Sequence, residues 1–369
     1  MARRAGFSRA FLQQCIKSKT ISKKSPTFAA GKKGLLMLKI GVLGTGHLGK
    51  IHLKCIQLAK EAYELIGFYD PDDTAAKQAE EQYQIQRWTD MDALIAAADV
   101  IDIVTPTTTH FELAKRVIEQ GKHLFIEKPL TNTMEEAKAL LQMAQEKGVK
   151  VQVGHVERFN PALLALGDQP LKPMFIEAHR LAVFNPRGTD VSVILDLMIH
   201  DLDIIQSLVK SPVKTISASG VPVVSESADI CNARIEFENG CIANLTASRI
   251  SMKQMRKVRF FQKDAYISLD FLEKEAQVVR LYDTDADPTK LPQDNLMELE
   301  TQSGKRYIHL SMPEAAPVNA IKMELESLAT SIQKDQRPVV SIEDGYRALD
   351  LAHQIMDQIE QRLIDAKQV

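Results

Sequence analysis

Three sets of residues have the types and spacing to carry a reaction together. The first is Gly44-Thr45-Gly46-His47-Leu48-Gly49, between the apolar run Lys39–Leu43 and Lys50-Ile51-His52-Leu53. A G-x-G-x-x-G turn between strand and helix fits a dinucleotide. Gly44 permits the tight turn, Gly46 lets the backbone approach a pyrophosphate, and Gly49 lets helix pack on strand. The N–H groups and positive dipole end of that helix would hold the phosphates. Such turns also arise for purely structural reasons, so the assignment depends on the residues downstream. Asp70 ends the next apolar run, 26 positions after Gly44, near the separation of about 20 at which a carboxylate accepts from the adenine-ribose hydroxyls. It could equally serve as a turn acid ahead of Pro71-Asp72-Asp73-Thr74, and the two roles are compatible. No arginine follows it closely in the sequence, so it would repel a 2′-phosphate and favour NAD over NADP.

The second set is Glu127-Lys128-Pro129, directly after the apolar run His123–Ile126. A lysine there would reach a cleft, where a cofactor and partial desolvation could lower its pKa. A solvated loop lysine is the plainer reading of those three residues alone. The third is Asp196-Leu197-Met198-Ile199-His200, with acid and imidazole four apart on one helical face and Asp203 extending it. A carboxylate one turn from an imidazole can orient it as a general base for a hydroxyl proton. An ordinary surface pair would look the same. Asp201 adds a third acid, but no second His or Cys has ligand spacing, so no metal is expected. In Gly154-His155-Val156-Glu157-Arg158-Phe159-Asn160-Pro161, Arg158 and Asn160 could bind phosphate or sugar hydroxyls, or could tie a domain junction.

These residues require particular elements to position them. Helices expected at 74–82, 90–98, 109–120 and 134–147 alternate with apolar strands at 39–43, 64–70, 99–104, 123–126 and 149–153. Continuous apolar strands between helices predict a parallel sheet covered on both faces, with ligands beyond the carboxyl ends of its strands. Those ends are Gly44, Asp70, Thr105-Pro106 and Glu127-Lys128-Pro129. After a boundary near residue 154 the pattern changes. A helical stretch at 191–209 precedes strands at 213–224, 229–237, 241–250, 257–263, 265–270 and 277–282, which suggest a mostly antiparallel sheet. Residues 283–305 read as a long loop, and helices are expected near 317–334 and 342–366, the last capped by Ser341. Asn239-Gly240 predicts a two-residue hairpin turn that pairs Glu238 with Cys241 and sets Cys231 opposite Ser248. That register would not join the two cysteines. With Cys15 and Cys55 also scattered, a reducing, cytoplasmic compartment is expected.

At 369 residues, two domains are the natural expectation. With 45% hydrophobic and 25% charged residues, the composition is that of a globular protein, and no run approaches the roughly 20 apolar residues of a membrane span. Residues 1–36 carry nine Lys/Arg and no acid, so the formal charge of −2 leaves −11 on residues 37–369. That acidic body argues against nucleic acid as a partner. The basic stretch is expected to lie outside the fold, as a transit peptide, a disordered arm or sequence upstream of a start at Met37.

Together the landmarks resemble the glucose–fructose oxidoreductase / inositol dehydrogenase / MocA (Gfo/Idh/MocA) family. The resemblance runs from residue 38 to about 360 and rests on the Gly44–Gly49 turn, Asp70, Thr105-Pro106 with His110, Glu127-Lys128-Pro129, Gly154-His155 and Asp196 to His200. It implies an α/β protein with an N-terminal Rossmann domain at 37–154. A C-terminal α/β domain at 155–369 would carry an open, mostly antiparallel mixed sheet that serves as the interface of a homo-oligomer, a dimer or tetramer. The implied chemistry is hydride transfer between a sugar or cyclitol carbon and NAD. Lys128 would polarise the hydroxyl, His200 would take or relay its proton, and Asp196 would orient the site or bind substrate. Thr45, His47, Leu48, Thr105, Pro106, His110 and Glu127 would join the glycines and Asp70 around the cofactor, and His155, Arg158 and Asn160 would face the substrate. The segments 155–161 and 195–201 are most similar to the branch that oxidises the 3-hydroxyl of UDP-N-acetylglucosamine. An inositol or free-sugar dehydrogenase, an NAD-using glycosidase and a non-catalytic NAD-sensing regulator stay open as alternatives.

Overall fold

The computed structural model describes residues 37–185, 191–302 and 304–366. The basic stretch 1–36 and Cys15 lie outside them.

The first half builds a parallel sheet by strict alternation. Strands β1 (Leu38–Leu43), β2 (Tyr63–Tyr69), β3 (Val100–Ile103), β4 (His123–Glu127) and β5 (Val151–Gly154) are separated by helices α1 (His47–Leu58), α2 (Asp73–Tyr83), α3 (Met91–Ala97), α4 (His110–Glu119) and α5 (Met134–Lys147). The strand order is β2-β1-β3-β4-β5. Residues 86–88 extend the far edge, where Phe68 donates to Gln86 O at 3.1 Å and accepts from Trp88 N at 2.8 Å. The sheet therefore has the doubly wound Rossmann form, with its switch point between β1 and β3. Local chemistry agrees with the element limits. Asp72 and Asp90 cap α2 and α3, Thr133 and Glu136 form a capping box on α5, and Gly148 ends α5 in the left-handed region.

The second half contributes α6 (Pro161–Leu164), β6 (Phe175–Leu181), a π-helical turn at Ile194–Met198 and α7 (Ile199–Leu208). After these come β7 (Val213–Val221), β8 (Ile230–Phe237), β9 (Ile242–Ser248), β10 (Met255–Gln262), β11 (Ala265–Asp270), β12 (Glu275–Tyr282), β13 (Leu296–Thr301), β14 (Gly304–Ser311), α8 (Ala320–Gln333) and α9 (Ile342–Ala366). Nine strands form one sheet in the order β13-β14-β12-β11-β10-β6-β9-β8-β7. Its one parallel pair among the described residues is β6 with β9, so the sheet is mixed and mostly antiparallel.

Three features differ from the sequence expectation. β6 is an additional strand: its inward row is Ile176, Ala178 and Arg180, so an arginine interrupts the apolar alternation. The expected loop at 283–305 contains β13 and the start of β14. β13 is an edge strand rich in glutamate, held partly by Glu298 with Lys305 at 2.7 Å, and so lacks an apolar signature. The hairpin register is shifted by one residue, because Phe237 rather than Glu238 pairs with Cys241 and Cys231 faces Ala247. Gly240, at φ +83°, makes the turn a three-residue loop with a left-handed last position. Cys55, Cys231 and Cys241 are free thiols.

Two apolar cores hold the layers. One face of the parallel sheet packs Ile40, Val42, Phe68, Val100 and Phe125 against α1 and against Leu325, Leu328 and Ala329 of α8. The other face, under α3 to α5, is continuous with the inner face of the large sheet and with α7 and α9. The chain thus returns from the second half to brace the first sheet. Among the described residues no helix is long and apolar enough to cross a membrane.

Candidate active site

The glycine turn sits at the switch point. Gly44 has φ +96°, and a Cβ there would lie 2.8 Å from Val104 O; a Cβ on Gly49 would fall 2.1 Å from Gly44 O. Side chains at those two positions would force strand, helix and neighbouring strand apart. Gly46 has nothing within 4 Å of its would-be Cβ. It stands open at the N-terminus of α1, and His47 and Leu48 beside it are exposed. A cleft of about 470 Å³ adjoins it, lined by Gly44, Gly46, Asp70, Thr105, Pro106 and Leu113 among others. Asp70 Oδ2 accepts from Thr45 N at 2.6 Å and Thr45 Oγ1 at 2.8 Å, and Oδ1 accepts from Asp72 N at 2.9 Å. The carboxylate that borders the cleft therefore also braces the turn, as both sequence readings allowed. The fold brings Arg87 beside it, donating to Asp70 O at 3.4 Å, but the guanidinium pairs with Asp73. This cradle fits a dinucleotide: a backbone left open where phosphates would lie, and an acid at the far end.

Lys128 lies at the end of β4, in a turn closed by a cis Lys128–Pro129 peptide. His110 bridges the turn to the end of β3, its ring nitrogens 3.0 Å from Pro129 O and 3.0 Å from Thr105 O. It is buried, and burial lowers its pKa. The Lys128 ammonium donates to Asp196 O at 2.7 Å and lies 3.3 Å from Asp196 Oδ1. Asp196 sits in the π-helical turn, which widens the backbone just before α7 and aims that carbonyl at Lys128. Asp196 therefore pairs with lysine, whereas His200 at the start of α7 meets His155, ring centroids 6.3 Å apart at 90°. Neither ring nitrogen of His155 has a hydrogen-bond partner among the described residues, nor has Nδ1 of His200. Burial drives both imidazoles toward the neutral form. Lys128, Arg180, His155 and Arg256 reinforce this for His200, whose pKa falls well below the usual histidine value. The site therefore holds the Lys128–Asp196 pair beside neutral imidazoles with unused nitrogens.

Around it lies an ionic framework that the sequence reading missed. Arg180 donates to Glu157 Oε1 at 2.8 Å and grips Asp201 through Nη2 at 2.8 Å and Nε at 3.1 Å. Arg256, directly opposite Arg180 in the sheet, is half-exposed and 3.7 Å from Glu157 Oε1, beyond hydrogen-bond length. Arg158 clasps Asp203 at 2.6 and 2.8 Å. Asn160 donates to Glu157 Oε2 and Phe271 O and accepts from Ala162 N, capping α6. Arg158 and Asn160 thus occupy the junction between the halves. A charged residue in the apolar rows of β6 and α7 was the available signal for Arg180 and Asp201.

A parallel sheet with this turn and a lysine at its carboxyl edge defines an NAD-binding oxidoreductase. Residues 38–155 match the model of the Gfo/Idh/MocA oxidoreductase family with NAD-binding Rossmann fold, and residues 176–266 match that family's C-terminal domain. UDP-N-acetylglucosamine 3-dehydrogenase of Acidithiobacillus ferrooxidans is 38% identical over 245 residues, 66% of this chain and 77% of that one. Its solved structure covers 88% of this chain and 99% of its own, at TM-score 0.77 and 32% identity. The NAD-dependent scyllo-inositol 2-dehydrogenase of Bacillus subtilis is 30% identical over 232 residues, 58% of this chain and 68% of that one. The chain belongs to the Gfo/Idh/MocA family and is an NAD-dependent dehydrogenase.

Proposed function

We propose that the chain oxidises a ring hydroxyl of a nucleotide sugar, UDP-N-acetylglucosamine at its 3-position, with NAD as acceptor. The observation that carries this is the Lys128 ammonium held by Asp196 beside neutral, unpartnered imidazoles at the carboxyl edge of the Rossmann sheet. The 38% identity to the dehydrogenase of that sugar supports the substrate.

NAD held on the glycine turn supplies the hydride acceptor. Gly44, Gly46 and Gly49 would shape its phosphate cradle, with Thr45, His47 and Leu48 completing the turn, and Asp70 would take the ribose. Thr105, Pro106, His110 and Glu127 form the wall beneath Lys128. A hydroxyl between Lys128 and His200 must lose its proton as its carbon loses hydride. The ammonium stabilises the developing negative charge on oxygen, worth a few kcal/mol in a water-poor site. Neutral His200 takes the proton, since its low basicity keeps it unprotonated at neutral pH. Asp196 aims the Lys128 ammonium, and His155 packs against the base. Arg256 supplies positive charge suited to the substrate diphosphate. The half-exposed face of the large sheet presents Phe175, Phe261 and Tyr266, with successive ring centroids 5.7 and 5.1 Å apart and planes tilted by 53° and 51°, the surface through which we expect a dimer or tetramer. The setting expected for such chemistry and for free thiols is the cytoplasm.

The test is NADH formation by the full chain over UDP-N-acetylglucosamine, other UDP-sugars, inositols and free sugars, with light scattering on the same sample. Turnover of UDP-N-acetylglucosamine at least tenfold faster than of any inositol is expected. Preference for an inositol would replace the substrate, and NAD binding without turnover of any of them would sink the dehydrogenase reading.

A further inference from the structure

Behind the Lys128 turn four ionisable side chains from four elements meet in the interior: His52 of α1, Asp102 of β3, Glu127 of β4 and Glu324 of α8, all buried. His52 Nδ1 is hydrogen-bonded to Asp102 Oδ2 at 2.9 Å, and its Nε2 lies 3.1 Å from Glu127 Oε1, within ion-pair distance but without making a hydrogen bond. Phe125 packs its ring edge-on at 5.6 Å. From β2, Tyr63 donates to Leu325 O, and from β5, Gln152 donates to Glu324 O, so the two polar neighbours are occupied with α8 backbone. A carboxylate within ion-pair distance of each ring nitrogen favours the imidazole form that carries both protons and a positive charge. Glu324 is a third acid in the same space. Neither of its oxygens has a hydrogen-bond partner among the described residues, and the charges acting on it are Glu127, His52 and Asp102. One cation cannot offset three buried negative charges, and an unpaired one is strongly unfavourable.

We propose that His52 is a positioning residue for Lys128: a buried imidazolium that ties Asp102 to Glu127, with Glu324 kept as a neutral carboxylic acid. The inference rests on Lys128 being catalytic. The link to Lys128 is short. Glu127 Oε2 accepts from Lys128 N at 3.2 Å. The Glu127 carboxyl lies over bare Gly154, where a Cβ would come within 2.8 Å of it, so β5 confines it from the other side. With that carboxyl fixed by His52 on one side and Gly154 on the other, the backbone leaves β4 in one direction, the one from which Lys128 reaches Asp196. The titration behaviour agrees for His52 and Glu324, while burial raises Asp102 against the opposing pull of His52. Burial opposes protonation of His52, yet the charges of Asp102 and Glu127 and the Asp102 hydrogen bond outweigh it and raise its pKa well above the usual value. Burial, then the charge on Glu127, raises Glu324 well above the usual carboxyl value.

The charge state of His52 is read directly by histidine-ring NMR of the full-length protein labelled with nitrogen-15. An imidazolium signal persisting well past the ordinary histidine value of about 6.5 is expected; a neutral ring at neutral pH overturns the proposal whatever Lys128 does. Kinetically, His52→Gln is expected to lower kcat at least tenfold while KM for NAD and for sugar stays within about twofold. Its kcat should also gain a new fall at alkaline pH, because the deserted Asp102 and Glu127 must share a proton and lose it as pH rises. Equal losses in kcat and both KM values with an unchanged pH profile would reduce His52 to a packing residue. Should that variant fail to fold, Asp102→Asn is expected to lower kcat at least tenfold with both KM values held within about twofold. Glu324→Gln tests the neutral acid: its melting temperature should exceed the wild type's by a margin that grows as pH rises above about 4.5. A lower melting temperature throughout would mean that an ionised Glu324 is needed. Full activity of Lys128→Met would remove the reading on which the kinetic arm depends, while the NMR arm would still decide the charge of His52.

Discussion

Two histidines flank the Glu127-Lys128 dipeptide, His52 against the glutamate and His200 near the lysine. His52 is enclosed by carboxylates and is driven toward the imidazolium; His200 is enclosed by Lys128, Arg180 and Arg256 and is driven toward the neutral ring. Burial pushes both the same way, so the sign of the neighbouring charge separates them. Imidazolium serves as a fixed strut, because its positive charge pairs with a carboxylate on each side. Neutral imidazole serves as a base, because a nitrogen without a partner can still receive one. The consequences for stability are opposite. The His52 contribution is full below the unfolded value of about 6.5 and is lost as pH rises through its higher folded value. The His200 contribution is present above about 6.5 and is lost as pH falls through its lower folded value.

The comparison can be broken most forcefully at Lys128. Lys128→Met is expected to cut kcat by about 10³-fold, within the span assigned to acid–base and electrostatic groups. It should also raise the His200 pKa, measurable by ring NMR, because a cationic neighbour of that base is removed. An unmoved His200 would break the electrostatic link between the two. His200→Asn should cost about 10²-fold in kcat, with little change in NAD affinity. Its thermal stability relative to wild type should improve as pH drops below about 6.5, since the cost of keeping a neutral ring buried is gone; a variant that becomes less acid-stable would reverse the assigned sign. Arg256→Gln should have the smallest effect, raising KM for a UDP-sugar several-fold and leaving that for a free sugar alone. Equal effects on both substrates would sharpen its role to tuning His200 instead of binding diphosphate.

Much of the first sheet was legible because each element carries its own signal: continuous apolar strands, Asp and Thr caps, terminal glycines. The turn glycines and the Lys128 and Asp196 positions were legible too, since they lie at strand and helix ends where chemistry-bearing residues stand out. The illegible part depends on partners distant in sequence. Nothing local reveals that Arg180 on β6 will meet Asp201 and Glu157, or that His52 will meet an acid from β3 and another from β4. Asp102 was the visible hint, an acid in the middle of the otherwise apolar Val100-Ile101-Asp102-Ile103. Helical spacing pairs Asp196 with His200, yet the π-helical turn gives Asp196 to Lys128. Periodicity assumes one helical pitch, and a local change of pitch alters who faces whom.

The return of α8 to the parallel sheet makes the two halves poor candidates for separate life. A fragment stopping at the apparent boundary near 154 would keep every glycine of the turn and Lys128, but would strip Leu325, Leu328 and Ala329 from the face holding Ile40 and Phe68. It would also expose His52 and its acids to water. Anyone wishing to transplant this nucleotide module, or to trade it between scaffolds, would have to carry the late helix along as its lid.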